Sequence, residues 1–83
     1  MKLLISKEDI KEGVRYSCQA DPISNHIRRK TKKQVTVEGT KIVVSSTKAF
    51  PLPKLAKKFI EDFDNGVKVV PFSFEIKGLE DYL

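Results

Sequence analysis

Twelve residues near the middle of the chain leave few folds open. Gln34-Val35-Thr36-Val37-Glu38 and Lys41-Ile42-Val43-Val44-Ser45 flank Gly39-Thr40. Alternating apolar residues around a two-residue turn that begins with glycine predict a β-hairpin with a type II′ turn. The register follows from the side chains. Val37 faces Ile42 and Val35 faces Val44 on one side, while Glu38 opposes Lys41 and Thr36 opposes Val43 on the other. Apolar pairing and charge pairing select the same alignment, and a slip of one residue would break both.

Helices are expected on either side of this hairpin, at about 22–31 and 53–64. Asp21 is a good N-cap, Pro22 suits the first helical position, and Ile23 and Ile27 share one face at i, i+4. The arginines and lysines that follow suit the negative end of the helix dipole. Pro53 opens the second helix at its first position and Asn65-Gly66 supplies a left-handed stop. Leu52, Leu55, Ala56, Phe59 and Phe63 form its apolar stripe, with Lys54, Lys57, Lys58 and Glu61 toward water. Its charges run basic first and acidic last, against the dipole, so this helix must be held by packing or have another use for its basic start.

The ends of the chain are shorter on signal. Residues 2–5 suit a short strand, and Ser6-Lys7-Glu8-Asp9 lies close to a capping-box pattern, with Gly13 as a stop after one or two helical turns at 7–12. Alternation before and after Pro71 is out of phase, so Pro71 marks a bulge or an edge and a strand is expected at 72–76. Ser45 to Pro51 is expected as a connection, and 77–83 as a loosely attached tail. Together these elements predict one small α+β domain over 1–83. It would hold a three- or four-stranded sheet around the hairpin 34–38/41–45, with both helices on one face, an order compatible with a ferredoxin-like arrangement.

At 83 residues the chain leaves little room for a second domain. No apolar run approaches the roughly 20 residues of a membrane span, and Met1 to Ile5 turns charged too soon for a secretory segment. A single cysteine, Cys18, makes no internal disulfide and fits a reducing cytoplasm. Chemistry is thinly represented. Cys18 and His26 lack a third group to orient the histidine, so Cys18 is expected as a small buried hydrophobe and His26 at the surface or half-buried. No ligand set of three or four supports a metal, Glu61, Asp62 and Asp64 lack loop geometry for a hard cation, and no glycine-rich loop cradles phosphate. No catalytic residue and no cofactor is therefore assigned.

The charge distribution is the informative remainder. The net charge is +5. Residues 28–58 carry ten bases against Glu38 alone, whereas 59–83 carry two bases and six acids. Arg28, Arg29, Lys30, Lys32 and Lys33 lie at a helix end, and Lys54, Lys57 and Lys58 form a second strip. Such a block suits an anionic partner, or is simply a solvated face. Its aromatics are not interleaved with the bases, so nucleic-acid contact would be led by the phosphate backbone and weakly sequence-specific.

Two segments carry a resemblance. Cys18-Gln19-Ala20-Asp21-Pro22-Ile23 with Ile27-Arg28-Arg29, and Leu52-Pro53 through Phe59-Ile60-Glu61-Asp62-Phe63-Asp64-Asn65-Gly66 to Val70-Pro71-Phe72-Ser73-Phe74, resemble small bacteriophage and prophage proteins of unknown function. In those, Cys-x-x-Cys-Pro precedes an Arg-rich helix, and a Phe-Asp-x-Gly turn and a Pro-Phe-x-Phe strand follow. Asp21 stands here in place of the second cysteine, which removes a zinc or redox reading. The resemblance implies a phage-type accessory protein in the bacterial cytoplasm and transfers no functional residue. The expected function is a non-enzymatic binding module whose basic surface contacts nucleic acid. The alternative is an interaction factor, such as an inhibitor of a host or defence protein, using the same face on an acidic protein surface. No membrane partner is expected.

Overall fold

Asp21 and Pro22 start a helix as their chemistry predicts. In the computed structural model, which describes residues 1–83, the Asp21 carboxylate accepts hydrogen bonds from the N–H groups of Ile23 and Ser24 at 2.9 and 3.0 Å. The helix spans Pro22–Thr31 and ends at Lys32, whose φ of +65° places it in the left-handed region. In chain order the elements are β1 (Lys2–Ile5), α1 (Lys7–Lys11), α2 (Pro22–Thr31), β2 (Thr36–Glu38) and β3 (Lys41–Ser45). They are followed by β4 (Lys48–Pro51), α3 (Lys54–Asp64), β5 (Phe72–Glu75) and a closing 3-10 turn at Leu79–Tyr82. The fold is a small α+β domain.

The hairpin has the expected register: Thr36 pairs with Val43, Val37 with Ile42 and Glu38 with Lys41. Gly39 takes φ +50° at the turn, the sign that a residue with a Cβ resists. Val35 lies one residue outside the ladder yet is buried.

The expected single sheet is instead two. β1 pairs antiparallel with β5, and β2, β3 and β4 form a separate antiparallel sheet. Lys48–Pro51, expected as a connection, is the third strand of the second sheet, reached by a tight turn from Ser45. This layout excludes the ferredoxin-like arrangement, which needs one continuous sheet, and the helices do not share one sheet face. α2 packs against β1 of one sheet and β2 of the other, so it is the element that joins them.

Apolar side chains from every layer meet in one cluster that includes Leu3, Ile23, Ile27, Ile42, Ala56 and Leu79, all fully buried. α3 enters it through Ala56, Phe59 and Ile60, with Phe63 also buried. Leu55, expected in the stripe, points to solvent at 61% exposure, and Ile60 takes its place. Pro53 is the N-cap residue rather than the first helical one, and Gly66 alone, at φ +78°, makes the left-handed stop. The tail is docked rather than loose. Leu79 has no exposed surface, the Tyr82 ring meets Phe50 edge-on at 5.5 Å between centroids, and Glu80 accepts from the terminal amine of Met1 at 2.8 Å. No helix is long and apolar enough to cross a membrane.

Candidate functional site

The basic residues at the end of α2 divide into two kinds. Arg28 and Arg29 are tied down. Arg28 donates to Asn25 Oδ1 at 2.7 Å, and at 3.3 Å to the Gln19 carbonyl and to Gln34 Oε1. Arg29 donates to Asp9 Oδ1 at 2.5 Å and to Ser6 Oγ at 3.0 Å. Lys30, Lys32 and Lys33 are exposed and form no hydrogen bond or ion pair through their ammonium groups. The turn that presents them is built locally. The Lys32 N–H reaches back to the Arg28 carbonyl at 2.8 Å, and the Thr31 hydroxyl accepts from the Lys33 N–H at 3.2 Å. Three unpaired charges therefore cluster at the end of a helix whose two arginines are anchored.

The second strip lies at the start of α3. Lys54 and Lys57 are exposed and unpaired, whereas Lys58 donates to Asp62 one turn later at 3.0 Å. That carboxylate holds the Lys58 ammonium above its ordinary pKa. No side chain caps this helix start, and the first turn contains no acid. The reversed charge order is sustained by the buried face of α3 and by Tyr16, whose N–H donates to Asp64 and whose hydroxyl donates to Asn65, both at 2.9 Å. No hydrogen bond, ion pair or pocket joins this strip to the α2 turn.

Beneath Arg29 lies a cluster that the sequence reading missed. Asp9 is 1% exposed and accepts from Ser6 N–H, from the Ser6 hydroxyl, from Arg29 and from His26 Nδ1 at 3.3 Å. Asp9 also completes the capping box at the start of α1. His26, expected near the surface, is buried, and its Nε2 has no partner. Since a carboxylate only accepts, Nδ1 carries the proton and Nε2 the bare lone pair. Burial pushes the imidazole below its ordinary pKa of 6.5, partly opposed by Asp9. The signal was available: Ile23, His26 and Ile27 fall at i, i+3, i+4 on one helix face.

Cys18, expected to be buried, is exposed, and no hydrogen bond links it to His26. It lines a shallow pocket with Asp21, Glu38 and Asp64. Burial pushes the Asp21 carboxyl up to about 6, against the hydrogen bonds from Ser24 and Ile23 that favour its charged form. No three His, Cys, Asp or Glu side chains are grouped to hold a metal ion. A separate apolar groove of about 230 Å3 runs between α3 and the segment before β5, and Leu55, Phe59, Val69, Val70 and Phe72 line it. No family model, no curated protein and no solved structure matches the chain.

Proposed function

We propose that this chain is a non-enzymatic binding module whose basic surface contacts an anionic partner, nucleic acid first, with the α2 turn as its centre. The observation that carries this reading is Lys32. It holds a left-handed backbone at a helix stop, where glycine is the less strained residue by roughly 1 kcal/mol. A lysine in that place, between Lys30 and Lys33 and equally free of partners, puts charge where backbone geometry alone favours none. Lys54 and Lys57 add a second set of free ammonium groups, and Arg28, Arg29 and Lys58 frame the two sets. The setting we propose is that of a phage-type accessory protein in the bacterial cytoplasm.

The test is a fluorescence-polarisation titration with mixed-sequence single- and double-stranded DNA and RNA at about 50 and 200 mM salt, where phosphate contacts change most. Five lysine contacts to duplex phosphates weaken binding about 500-fold across that interval. Lys30, Lys32 and Lys33 changed together to Gln leave the arginine anchors in place and lower the salt slope by about 2.7. Lys32→Gly separates geometry from charge: it raises stability by about 1 kcal/mol and lowers affinity. No binding at 50 mM salt overturns the nucleic-acid reading.

A further inference from the structure

We propose that the groove between α3 and residues 67–72 receives an extended acidic peptide segment of a partner protein, with alternate apolar residues entering the groove. This surface is distinct from the α2 turn and does not depend on the nucleic-acid reading. Leu55 and Val70 line it at 61% and 64% exposure, beside the half-buried Val69 and Phe72. Its volume, about 230 Å3, falls below the roughly 300–1,000 Å3 of small-molecule sites and suits side-chain anchors instead.

Two observations choose the occupant. The first is the backbone beside the groove. Val67 donates to the Asp62 carbonyl, but the N–H groups of Lys68, Val69 and Val70 form no hydrogen bond within the protein. A stretch of unpaired backbone next to apolar pockets is what strand addition uses: main-chain bonds bind, and alternate side chains select. The second is charge. Asp62 at the groove is already taken by Lys58, which leaves Lys68 as the one unpaired charge in its lining. The free charge in the lining is thus positive. A second copy of this +5 chain would bring the same lysines against themselves, whereas carboxylates between the apolar anchors of a partner would meet them. Phe59 and Phe72 already pack on each other, with centroids 4.4 Å apart, so the groove offers no open ring for a base to stack on.

The probe is a fluorescein-labelled decapeptide that alternates Val or Phe with Glu or Asp, titrated into the full chain. Its controls carry Lys in place of the acids, or Ser in place of the apolar residues. The expected result is micromolar binding of the acidic peptide alone. It falls at least tenfold in a Leu55→Ser/Val70→Ser variant, which folds because both side chains are exposed. Slowed amide exchange at Lys68, Val69 and Val70 accompanies it. The variant with Lys30, Lys32 and Lys33 changed to Gln binds the peptide like the parent chain. Failure to bind at millimolar peptide, equal binding of either control peptide, or binding indifferent to the Leu55/Val70 change overturns the proposal. So does a dimer in sedimentation that those two substitutions abolish, or preferential uptake by anionic phosphatidylglycerol vesicles through the same residues.

Discussion

Replacing Asp9 by alanine tests whether the polar cluster between α1 and α2 holds the N-terminal part of the fold in place. Three losses are expected. The capping box at α1 disappears, worth about 1 kcal/mol. The N–H of His26 Nδ1 is left buried without an acceptor, a penalty of roughly 1–3 kcal/mol. The Arg29 ion pair also goes, but at 48% exposure the guanidinium is largely rehydrated and the loss is nearer to 1 kcal/mol. The total is about 3–5 kcal/mol. At roughly 0.05–0.15 kcal/mol per residue, a chain of this length has only about 4–12 kcal/mol in all. Urea unfolding followed by far-UV circular dichroism at pH 7.5 should show a lower midpoint with an unchanged m-value, and Tm should fall by at least about 12 °C. Because the Arg29 ion pair goes with Asp9, adding Arg29→Ala to Asp9→Ala should cost only the exposed hydrogen bond to Ser6 Oγ, less than about 1 kcal/mol. A loss under about 1 kcal/mol, or strict additivity of the two substitutions, would refute the reasoning.

Two further predictions follow from the same region. His26 is held neutral in the fold, below its ordinary 6.5, so the unfolded chain takes up the proton first. Its contribution is complete above pH 6.5 and declines as pH falls below that value. Unfolding free energies of the parent and His26→Gln chains from pH 7.5 to 5 isolate it, because Asp21, raised to about 6 in the fold, contributes with the opposite slope between 3.8 and 6 in both. A pH-independent difference between the two chains would remove the claim. Gly13→Ala places a Cβ 2.7 Å from the Phe63 ring and 2.9 Å from Pro22 Cγ, so one of these side chains or the backbone at residue 13 must shift, and a loss of about 1–3 kcal/mol is expected in thermal melts.

Much of the fold was visible in local pattern, and the failures share a cause. α2 and the hairpin were legible because cap chemistry and period-2 pairing are written within a dozen residues. β4 was not, since Lys48-Ala49-Phe50-Pro51 has one inward apolar residue and becomes a strand only by pairing with β3. The division into two sheets is likewise a choice of partners that no single segment encodes. Leu79 reaches the core from between Lys77-Gly78 and Glu80-Asp81, so its burial left no periodic trace. At the candidate site the bases were countable, but their engagement was not. Asp9 lies twenty residues before Arg29, and only packing of α1 on α2 reveals that Arg29 is spoken for.

The pairing of β1 with β5 also sets an order for synthesis. β1 leaves the ribosome before its partner, with residues 6–71 between them. At about 5–20 residues per second that interval lasts roughly 3–13 s, during which Leu3 and Ile5 have no strand to pair with. The three-stranded sheet and α2 lie wholly within the intervening stretch and can condense while β1 waits. Pairing of β5 with β1 comes only after that, and a nascent protein halted before Phe72 would present an unpaired apolar strand to whatever chaperone stands at the exit tunnel.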